Sequence, residues 1–245
     1  MGSALLRALR DAPGFELVGG IAAHDPGTMP CPVVPADGAD AMIRSASVVV
    51  DFSTPAALAA LLASNGAALE GKGLVVGTTG LGPEQQKAID DAARTAAVVT
   101  AANFSVGITL LLDLVQRAAR VLRDGYDIEI VEAHHRNKMD APSGTALALA
   151  RAAATGRSVD LDEVRIDGRS GETGPRPDGA IALHALRGGA VVGEHRVHFM
   201  GDAERIEIAH IATDRILFAQ GALHAARWVA GQTPGRYTMN DVLGL

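Results

Sequence analysis

Residues 48–65 of this chain, VVVDFSTPAALAALLASN, join a short β-branched run to a stretch rich in alanine and leucine. The run Val48–Phe52 predicts a buried strand. The Ser53-Thr54-Pro55 sequence behind it supplies capping hydroxyls and a first-turn proline, which together start helices. We therefore expect a strand followed by a helix from Pro55 to about Asn65.

The same alternation of strand and helix recurs through the first half of the chain. Further strands are predicted over Phe15–Ala23, Leu74–Gly77 and Ala97–Thr100, with helices starting near Pro83 and at Val106. Continuous apolar strands that alternate with helices favour an α/β fold, a doubly wound parallel sheet covered on both faces. Ligands of such sheets bind beyond the carboxyl ends of the strands. The candidate binding loops are therefore Phe52–Ser53, Gly77–Thr79 and Ala101–Phe104.

The second half has a different pattern, with strands expected over 127–133, 164–167, 181–186, 191–199 and 205–212. A helix is expected from Ser143 and another from about Asp214 to Ala230, before a short tail over Tyr237–Leu245. Within 191–199, His195 and Val197 share one strand face and Arg196 and His198 share the other. We expect an α+β unit with an open mixed sheet, whose uncovered face is available to another subunit.

The composition limits the classes of partner. Hydrophobic residues make up 48% of the 245 residues but aromatic ones only 3%, so the core is built from aliphatic side chains. A net charge of −6 argues against nucleic acid and anionic membranes as partners. The lone Cys31 excludes an internal disulfide, and we interpret it as a small filler. No apolar run approaches the ~20 residues of a membrane span, so a cytoplasmic protein is expected.

The run Glu132–Thr145, EAHHRNKMDAPSGT, concentrates the chemistry. Histidine exchanges protons near neutral pH, and Lys138 adds an ammonium group beside His134 and His135. The turn Ser143–Thr145 opens a helix whose free backbone N–H groups attract an anion, although these residues could also serve only as caps. Proton chemistry beside an anion cradle predicts an enzyme that acts on a small acid.

Several residues have a competing structural interpretation. Adjacent histidines on a strand point to opposite faces and no further ligands complete a set, so no metal is expected. Asn103 is equally compatible with a helix cap and with a cofactor contact. The remaining histidines are interpreted as structural or surface residues: His24, His184, His195, His198, His210 and His224.

The Glu132–Thr145 run closely resembles the signature of the 4-hydroxy-tetrahydrodipicolinate reductase family, also called dihydrodipicolinate reductase. The likeness covers essentially the whole chain in the right order, and the central run is its most specific part. It extends to Asp51–Ser53, Gly77–Gly80, Ala101–Gly107, Val192–His195 and Asp241–Leu243.

The resemblance implies both an architecture and a reaction. It implies a Rossmann-type dinucleotide-binding domain over residues 1–105 and 215–245, and a substrate-binding and tetramerisation domain over residues 106–214. NADPH or NADH would deliver a hydride to a cyclic dicarboxylate in diaminopimelate and lysine biosynthesis, and water would leave. The assembly implied is a homotetramer.

The resemblance also implies roles for individual residues. His134 would be the general acid/base and Lys138 the proton donor. Substrate would be held by His135, Gly144 and Thr145. The nicotinamide end of the cofactor would be lined by Gly77, Thr78, Thr79, Ala101, Ala102, Asn103 and Phe104.

The start of the chain departs from the family pattern. The family's Gly-x-x-Gly-x-Met-Gly turn and the strand before it should precede the helix at Met1–Arg10, and Met1-Gly2 matches only the turn's last two residues. We expect the first strand to be missing, through a late start codon or a truncated gene. Two alternatives to an active reductase therefore stay open: an N-terminally truncated, non-catalytic homologue, and a related Rossmann dehydrogenase for another small acid.

The second departure concerns the adenosine ribose. An acidic residue commonly ends the second strand of such domains and holds the ribose. Ala23 takes that place here, followed by His24 and Asp25. The substitution leaves a preference for NADP open.

Overall fold

The structure, a computed structural model, describes residues 1–24, 27 and 29–245. The chain divides into two compact units, Met1–Val106 with Ile216–Leu245, and Gly107–Arg215. We call them the terminal unit and the central unit. Asp25, which follows Ala23 and His24 in the sequence, lies outside the described residues.

The helices and strands are numbered in chain order. The helices are α1 (Gly2–Arg10), α2 (Asp40–Ser45), α3 (Pro55–Asn65), α4 (Pro83–Ala92), α5 (Val106–Val121), α6 (Gly144–Arg157), α7 (Leu161–Val164), α8 (Ile216–Val229) and α9 (Met239–Leu243). The strands are β1 (Gly20–Ile21), β2 (Val33–Val34), β3 (Val48–Asp51), β4 (Gly73–Val76), β5 (Ala97–Thr100), β6 (Asp127–His134), β7 (Arg165–Asp167), β8 (Ile181–Arg187), β9 (Gly193–Met200), β10 (Arg205–Ala212) and β11 (Gly235–Tyr237).

A parallel sheet in the order β11–β5–β4–β3 forms the core of the terminal unit. Its strand β4 sends Leu74 and Val76 into a cluster with α3 and α4, and Val75 into a cluster with α8. These three side chains are almost fully buried, and each such burial stabilises the fold by about 1.5–3 kcal/mol. The predicted parallel sheet covered on both faces is confirmed.

The predicted strand over Phe15–Ala23 is wrong for most of its length. Only β1 forms within it, and β1 pairs with β2 in a separate two-stranded parallel sheet. Phe15 packs beside α1 and α8 instead, with the guanidinium carbon of Arg227 4.9 Å from its ring centroid. Among the described strands β3 pairs only with β4, so the part of this segment before β1 packs against helices and adds no strand to the main sheet.

The C-terminal segment is also more ordered than the predicted tail. Its β11 extends the sheet beside β5, and α9 follows. Asp241 accepts hydrogen bonds from the amide and the hydroxyl of Thr238, both at 2.7 Å, in a capping arrangement. Gly244, at φ 69°, ends α9 in the left-handed conformation that glycine adopts without strain.

The central unit contains a mixed sheet in the order β10–β9–β6–β8–β7. Strand β6 runs antiparallel to β9 and parallel to β8. We call the face that packs on α5 and α6 the inner face; it includes Ile128, Ile130, Val197 and Phe199. The opposite, outer face carries Glu129, His184, Arg196 and His198. The predicted open mixed sheet is confirmed, and so is the division of alternate β9 residues between its faces.

Two absences can be stated for the part of the chain that the structure describes. No helix there is long and apolar enough to cross a membrane. Within the same residues, no group of three or more His, Cys, Asp and Glu side chains is arranged to hold a metal ion.

Candidate active site

Ionisable side chains gather where the inner face of the central sheet reaches the carboxyl end of β6. Ile128 and Ile130 fill that face on the core side, and the next two positions along it are Glu132 and His134. Strand pairing places His134 opposite Arg187 on β8, and Glu132 opposite His195 on β9. The register of three strands therefore brings four ionisable groups from distant parts of the sequence together.

Glu132 is the most buried of these groups, with a side chain that is 0% exposed. One carboxylate oxygen lies 2.6 Å from Nδ1 of His134, and the other accepts the Ser143 backbone N–H at 3.0 Å. The Arg187 guanidinium donates to both oxygens, at 2.7 and 2.8 Å. Burial by itself would raise the pKa of Glu132, but the hydrogen bonds from Arg187, His134 and Ser143 together hold that pKa below its usual range. Glu132 is therefore an ionised carboxylate in the interior.

An ionised carboxylate only accepts hydrogen bonds, so Nδ1 of His134 carries the proton in this pair. Nε2 is then the atom that can exchange a proton. A glycine lies against it: a Cβ built on Gly193 would come within 3.2 Å of Nε2. Sequence reasoning placed His134 at a strand end, and the structure adds the partner that fixes its tautomer.

His195 faces His134 from β9, with the two rings edge to face and their centroids 5.2 Å apart. Its Nε2 lies 3.2 Å from the hydroxyl oxygen of Ser143. Burial, together with the nearby His134, lowers the pKa of His195 to about 4. His195 is therefore neutral near pH 7. The sequence interpretation of His195 as structural overlooked this contact, although it lies in the Val192–His195 segment of the family resemblance.

The helix start is fixed by Ser143, which is buried and precedes the first residue of α6. Its hydroxyl accepts the Ala146 backbone N–H at 3.2 Å, so the capping role considered for Ser143 is confirmed. A Cβ built on Gly144 would have no heavy atom within 4 Å, which leaves open space at the first turn. The first-turn N–H groups of a helix have no acceptor within the helix, and this end of α6 suits a carboxylate.

The loop between β6 and α6 carries Lys138 and His135. The Lys138 ammonium lies 2.8 Å from Asp140, and its hydrogen bond lowers the pKa of Asp140. Lys138 also contributes to the lowered pKa of His195, so its charge acts on the same cluster. His135 lines a separate cavity of about 420 Å³ together with Ala190, Val192, Thr213, Asp214 and Arg215.

In the terminal unit, the predicted loops meet at the carboxyl ends of β3, β4 and β5. Asp51 is buried and accepts hydrogen bonds at 2.5 Å from the hydroxyls of Ser53 and Thr78. Gly77 touches the Phe52 ring so closely that a Cβ on Gly77 would overlap it. The turn Gly77–Thr79 is thus held to the neighbouring strand end by one polar and one apolar contact.

The loop after β5 completes this edge of the terminal unit. The Phe104 ring packs edge to face on Phe52, with centroids 5.5 Å apart. The Asn103 side-chain oxygen accepts the Ser105 amide at 2.8 Å just before α5 starts. This contact gives Asn103 the local, cap-like role that was one of its two interpretations. Ala101 and Ala102 lie between β5 and Asn103.

Arg187 is the residue of this site that sequence reasoning missed. It lies one residue beyond the strand predicted over 181–186, and no motif marks it. Only the pairing of β8 with β6 could have found it, because that pairing is a contact between residues 55 positions apart.

Comparisons with known proteins find matches along the whole chain. The family model for the N-terminus of dihydrodipicolinate reductase matches residues 1–104, and the model for its C-terminus matches residues 107–243. The 4-hydroxy-tetrahydrodipicolinate reductase of Methylocella silvestris is 44% identical, over 100% of this chain and 93% of its own. That of Rubrobacter xylanophilus is 48% identical, over 99% and 94%. A dipicolinate-bound dihydrodipicolinate reductase from Paenisporosarcina sp. TG-14 has the same fold, with a TM-score of 0.74 at 22% identity over 97% of this chain and 92% of that one.

Proposed function

The chain belongs to the dihydrodipicolinate reductase family, and we propose that it reduces 4-hydroxy-tetrahydrodipicolinate to tetrahydrodipicolinate in diaminopimelate and lysine biosynthesis, with NADPH or NADH as reductant. The observation that carries this function is the Glu132–Thr145 segment. It folds into a buried acid–base cluster beside an open helix start, inside a chain whose full length matches named reductases.

We assign the proton chemistry to His134 and Lys138. Hydride addition to an unsaturated, nitrogen-bearing ring leaves electron density that a proton must quench, and a nearby imidazolium or ammonium supplies that proton. Glu132 stabilises the imidazolium form of His134 through Nδ1 and leaves Nε2 for exchange. The carboxylate of Asp140 pairs with the Lys138 ammonium at 2.8 Å.

We assign substrate binding to His135, Gly144 and Thr145. The substrate is a dicarboxylate, and the first turn of α6 offers backbone N–H groups together with the Thr145 hydroxyl. The open space at Gly144 supports this role, because it leaves room for a ligand beside the first turn. His135 would reach the substrate from the cavity that it lines.

We assign the nicotinamide end of the cofactor to Gly77, Thr78 and Thr79 and to the loop Ala101–Phe104. Their place at the carboxyl ends of parallel strands supports this role, and so does the fixed backbone at Gly77. The bound cofactor supplies the hydride. The residues of the chain orient it: Asp51 fixes the Thr78 hydroxyl, and the packed rings of Phe52 and Phe104 give the loop a rigid apolar floor.

We further propose that the enzyme is a cytoplasmic homotetramer, with residues 106–214 as its substrate-binding and tetramerisation domain. The outer face of the central sheet supports self-association, because Leu186 and Ile211 are 57% and 53% exposed on it. Light scattering of the purified protein measures the mass directly, and a monomer at working concentration would contradict this assembly.

Turnover tests the reaction. The chain should oxidise NADPH or NADH only when 4-hydroxy-tetrahydrodipicolinate is present. Lys138→Met should lower kcat by about 10²-fold or more. Lys87→Met is the matched control, since Lys87 is a lysine of similar size whose side chain is 77% exposed on α4. Equal turnover of the two variants would contradict the role of Lys138.

Cofactor binding separates this proposal from the non-catalytic alternative. We expect titration calorimetry of the chain with NADPH to give saturable binding. Thr78→Val should weaken the binding, because it removes the hydroxyl that Asp51 orients. A chain that binds neither NADPH nor NADH would favour the non-catalytic homologue.

A further inference from the structure

We infer that Glu132 is a positioning residue that fixes both parts of the central-unit site, the imidazole of His134 and the start of helix α6. This role rests on the proposed function. It concerns a side chain that lies behind the groups assigned to proton transfer and substrate binding.

The carboxylate of Glu132 is occupied on both oxygens. Oε2 receives His134 Nδ1 at 2.6 Å and one Arg187 nitrogen at 2.8 Å. Oε1 receives the Ser143 amide at 3.0 Å and the other Arg187 nitrogen at 2.7 Å. Arg187 is itself held by the backbone oxygens of Leu186 and Asp140. With every direction around the carboxylate filled, it cannot rotate without breaking several charge-assisted hydrogen bonds.

The first consequence concerns the acid–base group. When Nε2 of His134 takes up a proton, the new positive charge forms beside the Glu132 carboxylate. The other ionisable groups of this cluster are Arg187 on β8, His195 on β9, His210 on β10, and Lys138 with its partner Asp140 in the loop. Asp140 is paired with Lys138, and Glu132 is the anion that lies at hydrogen-bond distance from the imidazole.

The second consequence concerns the anion cradle. Glu132 accepts a hydrogen bond from the Ser143 amide, and Ser143 is the residue that caps α6. Gly144 and Thr145, to which we assign the substrate carboxylate, follow directly. Both ends of the segment from His134 to Ser143 are thus hydrogen-bonded to one carboxylate. A shift of Glu132 would move the proton-transferring ring and the cradle relative to one another.

Strand β6 provides a matched control for this role. Glu129 lies on the same strand, is also buried, and also binds arginines and a histidine, but on the outer face. Glu132→Gln and Glu129→Gln therefore make the same chemical change in comparable surroundings. Only the first touches groups assigned to catalysis.

The kinetic test compares these two variants across pH. Glu132→Gln should lower kcat by about 10²-fold and raise KM several-fold. It loosens both the imidazole that transfers the proton and the helix start that binds the substrate. The alkaline limb of its kcat profile should move to lower pH, since the imidazolium has lost its anion. The kcat of Glu129→Gln should stay within about twofold of the wild-type value, and the alkaline limb of its pH profile should not move.

The double variant Glu132→Gln/Arg187→Met guards against misfolding, since it also removes the guanidinium that the single change leaves unpaired. We expect it to fold with the same low kcat and the same displaced alkaline limb. A folded single or double variant with wild-type kcat and pH profile would overturn the positioning role.

A spectroscopic test does not depend on turnover. In protein labelled with ¹⁵N-histidine, the His134 Nδ1 proton should give a strongly downfield signal in the wild type and in Glu129→Gln. The signal should be absent from Glu132→Gln. Its persistence there would overturn the role. If the wild type showed no reductase activity at all, the proposed function would fail while this signal still tested the pairing.

Discussion

Strand β6 carries two buried glutamates with nearly the same partners and different consequences. Glu129 lies on the outer face of the central sheet and Glu132 on the inner face. Glu129 accepts hydrogen bonds from Arg176 at 2.8 Å and from Arg169 at 3.1 Å, and lies 2.6 Å from His184. Glu132 binds one arginine, one histidine and, in addition, a backbone amide at the start of α6.

The difference lies in what the partners are attached to. Arg169 and Arg176 come from the segment between β7 and β8, so Glu129 ties a long loop to the sheet around an open cavity of about 370 Å³. Glu132 ties the end of its own strand to the start of a helix. Both carboxylates have a lowered pKa in spite of their burial, because arginine and histidine donors outweigh desolvation. Similar electrostatics therefore anchor a loop on one face and orient the proposed catalytic groups on the other.

The largest expected effect comes from removing the histidine partner of the glutamate on each face. His134→Ala should lower kcat by about 10²–10⁴-fold, because it removes the proposed general acid/base. His184→Ala removes the histidine that Glu129 binds and should leave kcat of the assembled enzyme within about twofold. Steady-state kinetics with NADPH measures both. Similar losses in the two variants would mean that the faces are not functionally distinct.

The next test asks whether the outer cluster is structural. Arg176→Met should lower the free energy of unfolding by about 3 kcal/mol, since Arg176 also donates to the backbone oxygens of Ile128 and Ala180. Urea denaturation measures this loss. Arg196→Met is the control on the same face, and should cost less than about 1 kcal/mol because its pair with Glu207 is solvent-exposed. An equal cost for the two would show that burial does not distinguish these ion pairs.

The sequence could predict the parts of this protein that local patterns determine, but not the parts that depend on contacts between distant residues. Local patterns were enough for strands such as Val48–Asp51 and for the chemistry of the Glu132–Thr145 run. The Phe15–Ala23 segment has the composition of a strand, yet packing against α1 and α8 decides its conformation. Arg187 and His195 join the site only through strand register, which pairs residues more than 50 positions apart and leaves no local signal.

A smaller effect on stability should follow from His195 on the inner face. Its pKa is lowered from 6.5 to about 4 in the folded chain. Between these two pH values the imidazole binds a proton in the unfolded chain but not in the folded one. Stability should therefore fall as pH drops, by about 2 kcal/mol from pH 7.5 to pH 5 for this group. That window lies above the lowered pKa values of Glu129 and Glu132.

Urea denaturation between these two pH values tests the assignment. His195→Gln should flatten the dependence, apart from a residual contribution from His210, whose pKa burial also lowers. If His195→Gln kept the full slope, another group would be responsible for it.

The smallest change adds one methyl group to the inner face. A Cβ on Gly193 would lie 3.2 Å from Nε2 of His134, which is closer than side chains usually pack, and at an ordinary contact distance of 3.5 Å from Cδ2. The imidazole must move by a few tenths of an ångström, so Gly193→Ala should lower kcat by about 3- to 10-fold. Gly188→Ala is the control, because a Cβ there would have no heavy atom within 4 Å. Wild-type kcat in Gly193→Ala would mean that the imidazole tolerates this displacement, and that its position is set less tightly than the bond to Glu132 implies.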